Sequence, residues 1–276
     1  MPIVPAILAL PLLLPPRPSD AETGSAFAAR IATLDDAGRY AAARDQILAG
    51  NVPDFLRDLV PVTIEGTASA SGPHEVTVFV TPEYLAVGCD DDHVQMPLDF
   101  LTAAEIARTT GFALPTSRVV DAIYQEAVLR LEPIPLPAGS QMRSMAYVLE
   151  HDSRVAAERE EQLDTGGAGA WLPGELVAGT NKDVVLTNEL RYRPGQEAIY
   201  GWHTSDGKPI QSLSLYHGST YADYSHGIRL VASTVLVDGE PMSYFAALAD
   251  PTIAPLLSSE GPIASAERLL YPRAPR

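Results

Sequence analysis

Apolar and polar positions alternate with two different periods along the chain, and the change of period divides it. Residues 21–50 are Ala-rich with helical spacing. Phe27, Ile31 and Leu34 form one apolar stripe and Tyr40, Ala43 and Ile47 a second. Asp35 and Asp36 read as a cap between two helices, and Gly50 as a stop. Then β character begins. Residues 62–66 (VTIEG), 74–81 (HEVTVFVT) and 84–88 (YLAVG) carry the β-branched, alternating pattern of strands. Helical spacing returns at residues 102–111, opened by the capping-box pattern Thr102-Ala-Ala-Glu105 and closed by Gly111. It continues over residues 115–131, with Val119, Ala122, Ile123, Ala127 and Leu131 close to one face. A stiff proline connector, Pro133-Ile-Pro-Leu-Pro137, precedes a longer helical pattern over residues 140–164. Met142, Met145, Ala146 and Leu149 form its apolar side, and the charged neighbours of His151 and Asp152 place them on an exposed face.

The second half reads mostly as β. Residues 183–187, 198–203, 209–214 and 229–237 are candidate strands, and Asp206-Gly207 and Asp238-Gly239 are turn signals. Antiparallel meanders fit this pattern better than a βαβ series. The expected fold is therefore α+β: N-terminal and middle helices packed on a mainly antiparallel sheet formed largely by the second half. Residues 22–276 form one composite domain, with a possible internal boundary near 133–139.

Composition changes the picture in three ways. A chain of 276 residues that is 46% hydrophobic can bury a core of its own. A formal charge of −16 repels phosphate backbones and argues against nucleic-acid binding. A single cysteine, Cys89, rules out an intrachain disulfide and a thiolate metal cluster. The chain opens with a run of roughly a dozen apolar residues, too short to span a bilayer and matched to a secretory segment. Pro18-Ser19-Asp20-Ala21 offers a small-residue cleavage site, so residues 1–21 read as a signal segment without a preceding Lys or Arg. No later stretch is apolar enough to form a span. A periplasmic or secreted protein is expected.

Candidate chemistry gathers late in the chain. Of the 6 His, His203, His217 and His226 fall close together, with Asp223 and Ser225 among them. Two readings of the residues compete. His203, His217, Asp223 and His226 offer nitrogen and oxygen ligands for zinc, although no helical His-x-x-x-His spacing is present. Alternatively, Ser225 or Ser219 is a nucleophile, His217 or His226 its base and Asp223 the orienter, with Gly218 and Gly227 opening the backbone to an oxyanion. Around them, Lys182 and Asp183 form a dyad at a strand start. Arg229 could clamp a carboxylate, and Trp202 and Tyr224 could stack on sugars. Cys89-Asp-Asp-Asp-His93 lacks EF-hand spacing and reads as a solvated loop.

Residues 225–230, Ser-His-Gly-Ile-Arg-Leu, resemble the Ser-His-Gly-Cys-Ile-Arg-Leu signature of L,D-transpeptidase catalytic domains, and His217-Gly218 echoes their upstream His-Gly. The resemblance implies an exported, envelope-facing site on a β-sheet. The signature's Cys is absent, Gly227 running directly into Ile228, so thiol transpeptidation is not implied. The combined expectation is a hydrolase acting on a cell-envelope or extracellular polymer, peptide or glycan. Its alternatives are a zinc-dependent hydrolase and a non-catalytic envelope- or glycan-binding module.

Overall fold

The structure is a computed structural model that describes residues 14–69, 72–164 and 171–271. Its helices are α1 (Gly24–Ile31), α2 (Asp36–Leu48), α3 (Phe100–Thr110), α4 (Ser117–Glu126), α5 (Met145–Asp164), α6 (Tyr244–Ala249), α7 (Ala254–Leu257) and α8 (Ala266–Leu269). Its strands begin with β1 (Val60–Ser69), β2 (Gly72–Val80), β3 (Ala86–Gly88), β4 (His93–Gln95), β5 (Phe112–Ala113), β6 (Leu129–Arg130) and β7 (Val177–Ala178). They continue with β8 (Lys182–Val184), β9 (Ile199–His203), β10 (Pro209–Ser214), β11 (His226–Gly227), β12 (Val231–Ala232), β13 (Thr234–Val237) and β14 (Glu240–Ser243). The fold is α+β, with mainly antiparallel sheets.

The largest sheet draws on both halves of the chain, which corrects the expectation of a sheet from the second half. β2 is its axis. It pairs along one edge with β1 (Val62↔Val78) and along the other with β13 (Leu236↔Thr77) and β12 (Val231↔Val80). β14 extends it beyond β13, and β5 beyond β12. Alternation explains the burial. Val76, Val78 and Val80 are buried on one face of β2, together with Val62 and Ile64 of β1, while α4 and α7 pack on β1. Each such side chain contributes on the order of 1.5–3 kcal/mol of burial. The pairing crosses the proline connector, so the two halves share one core.

The second sheet has the order β10-β9-β8-β11, antiparallel except for the parallel pair β8–β11. It carries the candidate site. At the 206–207 turn Gly207 has φ 79°, and at the 238–239 turn Asp238 and Gly239 have φ 50° and 84°, as hairpin turns require.

Several helix ends differ from expectation. The cap of α3 is Asp99, whose carboxylate accepts from Thr102 N at 2.8 Å, in place of a Thr102–Glu105 box. A side-chain oxygen already sits one turn earlier, and the apolar Phe100 begins the helix. The expected helix over 115–131 stops at Glu126, and Leu129–Arg130 pair with β7. In α5 the buried residues are Met145, Val148, His151 and Val155, while Leu149 is exposed.

The described part of the expected signal segment, residues 14–21, belongs to the fold. Leu14 is buried in the core. Arg17 donates from Nε to Asn51 Oδ1 (2.9 Å) and Gly88 O (3.1 Å), and from Nη2 to Ala21 O (2.8 Å) and Glu22 O (3.1 Å). Cleavage after Ala21 would remove these anchors. Residues 1–13, which hold most of the apolar run, lie outside the described residues.

Candidate active site

The site is built on a tight turn. The Asp223 carboxylate reaches forward, its Oδ1 accepting from Ser225 N (2.9 Å) and Ser225 Oγ (2.5 Å), while Asp223 O accepts from His226 N (3.0 Å). The turn delivers His226 and Gly227 into β11, paired with Lys182 and Asp183 of β8. Gly227 is required for packing: a Cβ there would lie 2.5 Å from Tyr84 Cδ1 and 2.8 Å from Asn181 Cβ. The expected oxyanion role for Gly227 is replaced by this close approach.

His226 is fully buried between two carboxylates. Nε2 lies 3.0 Å from Glu197 Oε1, and Nδ1 lies 3.2 Å from Asp223 Oδ1. Burial opposes its charge, but Glu197 and Asp223 outweigh that, pushing the imidazole up to about 9. Asp223 N also donates to Nδ1 at 3.1 Å, so both ring nitrogens are occupied. Asp223 feels the reverse balance. Burial would raise it, but the His226 bond and charge, Lys182 and Ser225 hold it well below the usual carboxylate range. Lys182 Nζ stands 3.9 Å from Asp223 Oδ2 and 4.7 Å from the centre of the Trp202 ring. Tyr221 donates its hydroxyl to the same Oδ2 at 3.3 Å.

His217 and Tyr221 form the open edge. Their rings stack at 4.0 Å with an interplanar angle of 10°, and His217 lies 6.4 Å from the His226 ring. The Arg143 guanidinium is 5.3 Å from the Tyr221 centroid. Burial is the leading cause lowering His217, so its imidazole is uncharged at neutral pH. Of the histidines singled out from sequence, His217 combines exposure with the protonation state of a base.

Consecutive strand residues point to opposite faces, and that separates the other candidates. Lys182 faces Asp223. Asp183 faces away, where its Oδ2 accepts from Tyr84 OH at 2.9 Å and burial raises its carboxyl to about 6. The expected Lys182–Asp183 dyad does not form. His203 joins Asp183's side: its Nε2 lies 2.9 Å from Asp121 Oδ1, which also accepts from Tyr200 OH at 2.8 Å, and its ring stacks on Tyr124 at 4.6 Å. The expected partnership of His203 with His217 and His226 is thus not made, because α4 supplies a nearer carboxylate. The break is marked in the backbone. Gly201 has φ 111° and Trp202 φ 60°, which turns the indole toward Lys182, with its Nε1 donating to Thr180 O at 2.7 Å.

Three further expectations are corrected. Arg229 is fully buried and donates to Thr81 O and Val177 O, both at 2.7 Å, so it joins strands and meets no substrate. The Tyr224 hydroxyl accepts from Leu136 N at 2.6 Å inside the core, which leaves no sugar-stacking face. Ser225 is buried and gives its hydroxyl to Asp223 rather than to a histidine, so it lacks the base a nucleophile needs.

Sequence reasoning missed Glu197 and His151. Glu197 carries no local signal; only the fold brings it to His226. His151 was legible, since 145, 148, 151 and 155 keep helical spacing, but its charged neighbours argued for an exposed face. Cys89 stays apart, its thiol donating to Asp92 O at 3.6 Å, and Asp92 binds Ser25 N at 2.8 Å at the start of α1.

Among the described residues, no group of three or more His, Cys, Asp or Glu side chains is placed to hold a metal ion. Nor is any helix among them long and apolar enough to cross a membrane. No protein-family model, curated protein or solved structure matches the chain.

Proposed function

We propose that the protein is an exported hydrolase acting on a cell-envelope or extracellular peptide or glycan. In this reading His217 is the general base and Lys182 holds an anionic group of the substrate. One observation carries it: Lys182, Glu197 and the Asp223–His226 turn, three separate segments, meet in one buried charged network whose edge is the uncharged His217. Buried networks of this kind with shifted proton affinities concentrate at functional sites. His226 has no free nitrogen and acts by position, holding Asp223 beneath Lys182. Envelope substrates and export rest on the resemblance of residues 225–230 to the transpeptidase signature and on the apolar run at the start of the chain.

A second reading, a non-catalytic envelope-binding module, is favoured by the narrowness of the crevice that reaches Asp223. Its space of ≈ 10 Å³ holds about one water. Turnover of peptidoglycan, polysaccharide and ester panels separates the two. Hydrolysis lost in His217→Ala supports the first; retention on cell wall without hydrolysis supports the second. Full turnover by His217→Ala sinks the assignment of the base.

A further inference from the structure

A cleft of ≈ 270 Å³ lies between the 3-10 helix Asn188–Arg191, the turn that follows it, and α8, which packs on that helix. Arg191, Arg193 and Arg268 open onto it, and no Asp or Glu lines it. That runs counter to a chain with 35 acidic and 19 basic side chains. Elsewhere arginines find carboxylates: Arg30, Arg39, Arg44 and Arg159 pair with Glu22, Asp36, Asp45 and Glu83. Among the described residues, the side chains of Arg191 and Arg268 make no hydrogen bond or ion pair, and Arg193 only approaches Glu189, Nε to Oε2 at 4.0 Å. The cleft is also shaped by its backbone. Arg193-Pro194-Gly195-Gln196 is a Pro-Gly turn, closed by Gln196 N donating to Arg193 O at 3.2 Å, with Gly195 at φ 85° as a type II turn requires. Gln196 lines the cleft, and its Oε1 is buried without a partner; a half-turn of the amide presents Nε2 there instead. Gln196 pairs with Gly218, and the next residue, Glu197, points the other way, to His226, so the cleft is separate from the charged network. Phe100, Leu190 and Leu269, all buried, give the cleft an apolar floor. Tyr271 adds an exposed ring, backed by the Arg108 guanidinium at 5.1 Å.

We infer that this cleft binds a small phosphate ester, with the phosphate on Arg191, Arg193 and Arg268 and the organic group on Leu190, Leu269 and Tyr271. A carboxylate has two oxygens to share among three guanidinium forks. A phosphate monoester offers three oxygens and nearly twice the charge at neutral pH. Three cations around one opening repel one another until an anion enters, and each gains a charge-assisted hydrogen bond when it does. The volume approaches the lower end of small-molecule sites, about 300 Å³, and suits one ring with its phosphate. The acidic surface elsewhere repels a long phosphate backbone, which leaves a small ester as the occupant. Binding here does not depend on hydrolysis at His217.

The test is calorimetric titration of the full chain with phenyl phosphate, inorganic phosphate and benzoate. Phenyl phosphate should bind most tightly, with each of the others weaker by about tenfold or more, and added salt should weaken it further. Arg191→Ala and Arg268→Ala should each weaken phenyl phosphate about tenfold, as loss of one charged hydrogen bond does. Tyr271→Ala should weaken phenyl phosphate and leave inorganic phosphate unchanged. Absence of binding by either phosphate overturns the inference. So does benzoate or inorganic phosphate binding as tightly as phenyl phosphate, or full affinity in the double variant Arg191→Ala/Arg268→Ala. The substituted side chains are exposed, so the variants should keep the original unfolding temperature. Should one fail to fold, the arginine Nε resonances of the unaltered ¹⁵N-labelled protein decide: phenyl phosphate shifting three of them supports the site, and fewer overturns it.

Discussion

The two faces of β8 hold comparable inventories and put them to opposite use. On one, Asp183, Arg229, Tyr84 and His203 engage one another, nearby carbonyls or Asp121, although Arg229 Nε and Asp183 Oδ1 stand 4.0 Å apart without a hydrogen bond. On the other, Asp223, His226 and Glu197 are equally buried, yet Lys182, His217 and Tyr221 are only partly so and form the edge. A histidine beside an aspartate is therefore not itself a sign of catalysis. What separates the faces is whether a group in the correct protonation state is left for a ligand.

The comparison breaks most readily at His217. His217→Ala should lower turnover by about 10²–10⁴ with an unfolding temperature close to the original, as loss of a general base does; a variant that unfolds easily while its folded fraction keeps full rate would make His217 structural. Arg229→Ala should do the reverse, costing about 3–5 kcal/mol in denaturant unfolding by stranding buried carbonyls and Asp183, with the folded fraction active. Proton linkage gives a third, intermediate effect. His226 binds its proton more tightly in the folded chain, so its contribution is complete below pH 6.5 and is lost as pH rises toward about 9. His151 binds its proton less tightly when folded, so stability also falls as pH drops from 6.5 toward about 4. Unfolding followed across pH should show His226→Gln flattening the alkaline limb and, through Asp223, altering the acid one as well, and His151→Phe flattening the acid limb alone. A smaller effect is expected at Ser225. Ser225→Ala should cost about 1 kcal/mol and leave turnover intact, since its hydroxyl serves Asp223; a dead but stable variant would restore Ser225 as nucleophile. Smallest is His203→Gln, for which turnover should stay within a few-fold, checked on the substrate that His217→Ala fails to turn over.

The sequence made α2, β2 and the two Gly-bearing turns legible, because each is specified by its own neighbours: the Tyr40-Ala43-Ile47 stripe, the Val76-Val78-Val80 alternation, Asp206-Gly207 and Asp238-Gly239. The loop at 217–226 was also locatable, from the density of titratable groups. Partnerships were not. His203 and His226 lie close to similar carboxylates, but Asp121 comes from α4 and Glu197 from the approach to β9, and no local pattern announces either. The Lys182–Asp183 pair failed for a simpler reason: adjacency along a strand means separation across it. Arg229 and Tyr224 carry groups that suit a binding surface, whereas their burial fixes what they do.

The central position of β2 has a consequence for how the protein comes into being. Its second edge is closed by residues 231–237, which are synthesised long after β2 itself. Until they arrive, the emerging chain holds a valine-rich strand with one open edge and cannot complete its core. Such long-range closure slows folding and leaves the nascent chain dependent on protection from aggregation.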